Sequence, residues 1–312
     1  MRAIAIQQYG GKDQLKEVEM DRPVPDQGQV LVRLEATSIN PIDWKLREGY
    51  LQEMLDWDFP IIIGWDAAGV IEEVGENVTD WQVGDRVFAR PETTPRGTYA
   101  EFALVDTHLL SSIPDNLTSV EAAAVPLAGL TAWQALFTFG KLEKGEKVLI
   151  HGGAGGVGHF AIQLAKHAGA YVYTTASERN HELVKRLGAD EVIDYKQTNF
   201  EDQLEEIDVV FDTIGGDVQS RSYSVLKQGT GRLVTIVGVP DEEEAKSYDV
   251  QAHGVWLEPD GEQLKKLAAL IEESQIRVII DQSFPFSEQG IKDAHAQSET
   301  GHASGKIVIT FE

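Results

Sequence analysis

Short apolar runs separated by polar punctuation dominate the first third of the chain. Arg2–Gln8, Gln29–Ala36, Ala67–Val74 and Arg86–Ala89 have strand length, and clusters such as Pro23–Gly28 and Gly84–Asp85 break them. The pattern predicts a β-rich segment. It changes at Ala122–Phe139, an Ala- and Leu-rich stretch that predicts a helix. From Lys147 the two periods alternate. Lys147–His151, Tyr171–Thr175, Glu191–Asp194, Val209–Thr213 and Arg232–Val237 read as strands. Val157–Ala168, Glu178–Leu187, Phe200–Leu204 and Val218–Leu226 read as the helices between them, with Phe160, Ala161, Leu164 and Ala168 on one face of the first. Such alternation predicts an α/β fold with a doubly wound parallel sheet. Further on, Asp260 with Gln263 resembles a capping box, and Leu264, Leu267, Ala268 and Ile271 follow at helical spacing. Strand-like segments at Val278–Ile280 and Lys306–Phe311 form a tail suited to rejoin the first domain. The expected division is 1–120 completed by 260–312, with 121–259 as the second domain.

Composition narrows the class. The 312 residues suit two domains, at roughly 100–200 residues each. Asp plus Glu number 51 against 27 Lys plus Arg, a net charge of −24, which repels nucleic acid and acidic membrane surfaces. There is no cysteine, so disulfides, iron–sulfur clusters, thiol catalysis and thiolate-bound zinc are excluded. No apolar run is long enough to span a bilayer and the N-terminus lacks a signal-peptide core, so the expectation is a soluble cytoplasmic protein.

The most informative stretch is Lys147-Val-Leu-Ile-His-Gly-Gly-Ala-Gly-Gly-Val-Gly158. A buried strand leads into G-x-G-x-x-G at Gly153, Gly155 and Gly158, and a helix begins. The three glycines serve a tight turn, close approach of backbone to a pyrophosphate, and packing of helix on strand. The helix N-terminus offers N–H groups and a positive dipole end to phosphate. Strand, turn and helix in that order predict a dinucleotide site at Gly153, Ala154, Gly155, Gly156, Val157 and Gly158. The second strand ends at Ala176-Ser177, without the acid that holds a ribose 2′-hydroxyl, and Arg179 follows as a partner for a 2′-phosphate. This favours NADPH. If the strand ends one residue later, Glu178 supplies the acid and NADH is the alternative.

In its motifs the chain resembles the zinc-free quinone oxidoreductase branch of the medium-chain dehydrogenase/reductase superfamily. The markers are Gly64-Trp-Asp66-Ala-Ala-Gly69, Val83-Gly84-Asp85-Arg86-Val87, Gly97-Thr-Tyr99-Ala-Glu101-Phe, Ala122-Ala-Ala-Val-Pro126 with Gly129-Leu-Thr131-Ala132, and the glycine turn extended to Gln163-Leu-Ala-Lys166. They occur in family order over nearly the whole chain. The resemblance implies a GroES-like β-barrel domain completed by the C-terminal segment, a Rossmann domain inserted in it, an active site in the cleft, and a homodimer. It also implies a cofactor contact from Tyr195, near the adenosine phosphate, and from Thr131 of its marker; Gly215, Val237 and Gly238 lie at strand ends facing the nicotinamide half, and the neutral Ser177 leaves room for a 2′-phosphate. At the family's usual lysine position after the second strand stands Asn180.

The departures shape the expected chemistry. Zinc alcohol dehydrogenases of this superfamily hold metal with Cys and a Gly-His-Glu motif; here those positions fall in Ser38–Pro41 and at Trp65. No metal ligands are expected, the eight histidines form no ligand cluster, and no Lewis acid is available to polarise an alcohol oxygen. Acceptors that are already electrophilic remain: quinones and the C=C of enals and enones. Asn40-Pro41-Ile42-Asp43-Trp44-Lys45 resembles the Asn-Pro-x-Asp-x-Lys segment of plant enone and alkenal reductases. The expected catalytic set is Lys45 for a ribose or a developing enolate oxygen, Asn40 for a substrate carbonyl, and Trp65 as a pocket wall. Asp43 serves equally to fix the loop. The alternative functions are an enoyl-thioester reductase and a non-catalytic NADPH-binding redox sensor.

Overall fold

The computed structural model describes residues 1–311. The chain forms two compact units. Unit 1 comprises Met1–Leu127, Pro259–Glu273 and the described residues from Val278 onward; unit 2 comprises Ala128–Glu258 with Ser274–Arg277.

Unit 1 begins with β1 (Arg2–Ile6), β2 (Lys16–Glu19) and the long β3 (Gln29–Ile39), followed by α1 (Pro41–Arg47). Then come β4 (Ile61–Ile62), β5 (Ala67–Val74), β6 (Arg86–Ala89), β7 (Phe102–Asp106), β8 (Leu110–Ser112) and α2 (Ser119–Ala123). Along β3, Val30, Val32 and Leu34 alternate toward one core, where they meet Ala67 and Ile71 of β5, Val87 and Ala89 of β6, and Ala103 and Val105 of β7. These residues stand two apart or four apart along their strands, so each strand turns one set of side chains toward a shared apolar interior. This is the GroES-like domain.

Unit 2 opens along α3 (Pro126–Trp133), whose last turn runs on as a π-helical segment to Phe139. Its sheet strands are β9 (Lys147–Ile150), β10 (Tyr171–Ala176), β11 (Glu191–Asp194), β12 (Val209–Asp212), β13 (Arg232–Thr235) and β14 (Gln251–Gly254). The helices between them are α4 (Gly158–His167), α5 (His181–Arg186), α6 (Asp217–Ser222) and α7 (Glu242–Ser247). The six strands are all parallel, in the order β11-β10-β9-β12-β13-β14. The strand order reverses between β9 and β12, and ligands of doubly wound sheets bind past the carboxyl ends at that point. β12 and the apolar residues of β9 are buried, as a parallel sheet covered on both faces requires.

The chain returns to unit 1 through α8 (Gly261–Glu272), β15 (Ile280–Pro285), α9 (Glu288–Glu299) and β16 (Lys306–Thr310). Asp260 caps α8 by accepting the Gln263 N–H at 2.9 Å, and Leu264, Leu267, Ala268 and Ile271 are its buried face. Burying each large aliphatic side chain contributes about 1.5–3 kcal/mol. β16 pairs antiparallel with β3, Ile307 opposite Ile39 and Val308 opposite Ser38, and parallel with β15. The seven-stranded sheet runs β15-β16-β3-β5-β6-β8, with β7 also on β3, and a three-stranded sheet runs β2-β1-β4.

Several expected elements differ. Ala122–Phe139 is not one helix: α2 ends at Ala123 and Pro126 starts α3, because proline has no N–H to continue the earlier ladder. β10 ends at Ala176, one residue past the Thr175 of the expected run, so Ser177 and not Glu178 directly follows the strand. The helix expected over Glu178–Leu187 begins with a 3₁₀ turn, Glu178–Asn180, and Phe200–Asp202 is only a 3₁₀ turn. The strand expected at Val278–Ile280 begins only at Ile280.

Candidate cofactor and acceptor sites

In unit 2 the turn His151–Val157 joins β9 to α4. Its left-handed residue is Gly152, at φ +66°, one position before the motif's first glycine. A Cβ on Gly153 would stand 2.0 Å from Thr174 Oγ1, and one on Gly158 would stand 2.3 Å from the Gly152 carbonyl. Both glycines therefore serve packing within the turn. Gly155 differs: a Cβ there meets only the Gly152 carbonyl, at 3.2 Å, so its outer face is open. A phosphate placed there would have room to approach the backbone ahead of α4. The residues fit a dinucleotide.

The other expected cofactor positions lie along the same strand ends. Ser177 is half-buried directly after β10, with Glu178 and Arg179 exposed beside it. Gly215 follows β12 at φ +78°, and a Cβ on it would meet Val237 Cγ1 at 2.9 Å, so the loops after β12 and β13 touch there. Asp212, fully buried at the end of β12, holds that corner. Its Oδ1 accepts the N–H groups of Ile214 and Gly215, and its Oδ2 accepts Gln219 Nε2 and Thr235 Oγ1, all at 2.9 Å. Gly238 is exposed at φ +80°, and Thr131 is buried on α3. Four large apolar side chains stand exposed just past strand ends: Tyr195 after β11, Ile214 after β12, Val239 after β13 and Trp256 after β14. Exposed apolar groups gathered on one rim mark a binding surface.

In unit 1 the conspicuous feature is a buried polar cluster. Asp66, fully buried, accepts from Ser38 Oγ at 2.5 Å, from Asn40 Nδ2 at 2.6 Å and from the Leu127 N–H at 2.7 Å. The buried Lys306 Nζ lies 3.7 Å from Asp66 and donates to the Ile39 carbonyl at 3.0 Å and to Asn40 Oδ1 at 2.5 Å. Burial lowers the Lys306 pKa, while Asp66 and Asp43 oppose that shift. Asn40 caps α1. Its N–H donates to Asp43 Oδ2 at 2.8 Å, closing a capping box.

Asp43 continues the network. Its Oδ2 also accepts from Tyr99 Oη at 2.8 Å, and Tyr99 meets His295 Nε2 at 3.1 Å. His295 Nδ1 faces Arg47 Nη1 at 3.0 Å, and Arg47 reaches Glu299 and Glu48. Burial pushes the Asp43 carboxyl up to about 7, and burial with the Arg47 charge pulls His295 down to about 3. Asp43 Oδ1, Trp44 Nε1, Trp65 Nε1 and Arg90 Nε are buried without a hydrogen-bond partner among the described residues.

The expected catalytic residues therefore separate. Lys45 is half-buried on α1, with Nζ 5.7 Å from the centre of the Trp44 ring. Asn40 uses both ends of its amide inside the protein. Trp65 lies wholly in the apolar core of unit 1, 6.3 Å from Trp57. A groove of about 1100 Å³ in unit 1, lined in part by Met20, Arg22, Phe102 and Leu104, includes none of the three. Sequence reasoning missed Gly152, Asp212, Tyr99, His295 and Lys306. Only Gly152 carried a local signal, the doubled glycine after the strand.

A zinc ion is not accommodated by this donor set. The chain has no thiolate, no group of three or more His, Asp or Glu residues suited to a metal occurs among the described residues, and the ammonium of Lys306 sits beside Asp66.

Comparison with known proteins agrees with the fold. The family described as "Alcohol dehydrogenase GroES-like domain" matches residues 26–115, and that described as "Zinc-binding dehydrogenase" matches 187–309. A chloroplast envelope quinone oxidoreductase homolog of Arabidopsis thaliana is 35% identical over 99% of this chain and 98% of its own. An NADPH-dependent alkenal/one oxidoreductase of the same plant is 36% identical over 99% of this chain and 79% of its own. The structure of the quinone oxidoreductase from Coxiella burnetii superposes with a TM-score of 0.92 at 37% identity, covering 100% of this chain and 99% of that one. On these grounds the chain belongs to the medium-chain dehydrogenase/reductase superfamily, among its quinone oxidoreductases and alkenal/enone reductases.

Proposed function

We propose that this oxidoreductase transfers hydride from NADPH to a quinone or an α,β-unsaturated carbonyl, without zinc. The observation that carries the reading is the open face of Gly155, at the start of α4 and beside the point where the strand order reverses. A bound nicotinamide supplies the hydride. The turn from Gly153 to Gly158 would hold the pyrophosphate at the open face of Gly155, with Gly153 and Gly158 keeping the turn packed on β10 and on itself. The neutral Ser177 leaves room for a 2′-phosphate, and the exposed Arg179 offers it a planar cation. A relative named for NADPH supports the same choice. Tyr195 and Thr131 belong to the proposed cofactor set, with Gly215, Val237 and Gly238 for the nicotinamide half. Lys45 is the proposed donor to the acceptor's oxygen, where negative charge develops as hydride reaches carbon. Asn40 and Asp43 hold the helix that carries it. A homodimer in the cytoplasm completes the reading; β14 leaves one edge of the six-stranded sheet without a strand partner among the described residues.

The test is an assay of quinones, enals, enones and enoyl thioesters with NADPH and NADH, before and after dialysis against a strong chelator. Reduction of a quinone or enone with NADPH, unchanged by dialysis, is expected. Turnover confined to enoyl thioesters would overturn the acceptor class. Activity lost on dialysis and restored by zinc would overturn the metal-free mechanism.

A further inference from the structure

Behind the glycine turn runs a directed chain of hydrogen bonds centred on a buried imidazole. The Gly152 N–H donates to Thr175 Oγ1 at 3.1 Å, and the Gly153 N–H donates to the carbonyl of the same threonine at 3.1 Å. Thr175 Oγ1 lies 3.3 Å from His151 Nδ1, and His151 Nε2 lies 2.9 Å from Ser222 Oγ. Ser222 in turn donates to the Val218 carbonyl at 2.6 Å.

The donors and acceptors fix one another. The Ser222 hydrogen is on Val218, so its oxygen accepts from His151 Nε2–H. Nδ1 is then the bare nitrogen, and the Thr175 hydroxyl hydrogen points to it. The Thr175 oxygen keeps its lone pairs for Gly152. One neutral tautomer satisfies every member. His151 is 1% exposed, and Phe200 packs edge-on to its ring at 4.7 Å. Burial holds its pKa down at about 4, against the raising effect of Asp212 and Glu201, with Arg221 lowering it further.

The segments joined are those the cofactor reading depends on. Thr175 stands two residues before Ser177. The His151 carbonyl accepts Thr213 Oγ1 at 2.7 Å, two residues before Gly215. Ser222 belongs to α6, which begins directly after Gly216.

We propose that His151 is a positioning residue for the dinucleotide: it orients the Thr175 hydroxyl that holds the left-handed Gly152, and so ties the phosphate turn to the ribose and nicotinamide corners without touching the cofactor. This rests on the cofactor reading above.

The experiment is a fluorescence titration of NADPH and NADH against the parent, His151→Leu, Thr175→Val, the double variant and Thr175→Ser, with thermal unfolding of each unliganded protein. Each of the first two variants should weaken NADPH binding about tenfold, the scale of one lost hydrogen bond. The double variant should be no weaker than Thr175→Val, because both changes break the same chain. Thr175→Ser, which keeps the hydroxyl, should bind like the parent. In turnover, KM for the cofactor should rise while kcat at saturation holds. Where His151→Leu does not accumulate as folded protein, Ser222→Ala takes its place with the same expectation. Parent-like binding by His151→Leu, additive losses in the double variant, or affinity that merely tracks melting temperature would each overturn the role of His151. A parent that binds neither nucleotide would overturn the cofactor reading itself.

Discussion

Lys306 Nζ donates to Asn40 Oδ1 across 2.5 Å, joining the cap of α1 to a strand 266 positions away in the chain. The same ammonium is the near cation of Asp66, and both groups are buried. Lys306→Met leaves a buried carboxylate without that cation, which costs about 3–5 kcal/mol in comparable cases. Pairing it with Asp66→Asn removes both charges and should recover most of the loss. Urea unfolding of the two variants checks this; a single variant as stable as the parent would show that the pair contributes nothing.

Asp43 sets a pH dependence of stability. Its folded pKa is raised from 3.8 to about 7, chiefly by burial. The folded state therefore holds a proton that the unfolded state has released, and stability falls as pH rises from about 4 through about 7. The neutral His151 and His295, with folded values of about 4 and about 3, slope the other way below their usual range. The difference between parent and Asp43→Asn isolates the carboxyl. The variant should gain relative to the parent as pH rises through that window, because its amide does not titrate, while its oxygen still accepts from the Asn40 N–H and Tyr99. A constant difference from pH 4 to 8 in urea unfolding would refute it.

Ser177→Asp should turn the cofactor preference toward NADH. A carboxylate at the end of β10 repels a 2′-phosphate and can accept from a 2′-hydroxyl. Competitive titration of both nucleotides gives the ratio. A parent that already binds NADH more tightly would assign the role to the neighbouring Glu178.

Lys45→Ala should lower turnover and leave the melting temperature nearly unchanged, since the side chain is half-buried and its nearest ring contact is Trp44. Loss of a donor to a developing oxyanion costs about 2.7–4 kcal/mol, or about a hundredfold or more in rate. Steady-state kinetics with a quinone and an enone, alongside cofactor titration, separate a catalytic role from a ribose contact. Unchanged values in both would remove Lys45 from the site.

What could be read without coordinates follows the range of the interactions. Five strands of the parallel sheet of unit 2, β9 to β13, were legible because each carries its own local pattern, and the glycine turn is contiguous. β2, β4, β7, β8 and β14 were not: β2 and β14 are short and partly exposed with no apolar run, β4 and β8 are only two and three residues long, and β7 buries only Ala103 and Val105. α9 was missed because its charged sequence buries only Gly290, Ile291, Ala294 and His295. The polar cluster was invisible for a different reason. Asn40 with Lys306 and Arg47 with His295 are pairs more than 240 positions apart that only the folded unit 1 brings together, so Asn40 read as a free amide aimed at substrate. Trp65 read as a pocket wall because its neighbours in sequence carry a site motif, whereas its surroundings in space are isoleucines and Trp57.

Placing an ammonium on β16 also settles how that strand lies down. Lys306, Val308 and Thr310 alternate with Ile307 and Ile309, and the two isoleucines enter the apolar core with Ile4, Ile6 and Trp65. A slip of one residue against β3 would exchange the faces, burying the charge among isoleucines and stripping Asp66 of its near cation. An all-apolar strand would bind the open edge of β3 in either phase. The lysine admits one of them, so the C-terminal segment that completes unit 1 can close on β3 in a single alignment.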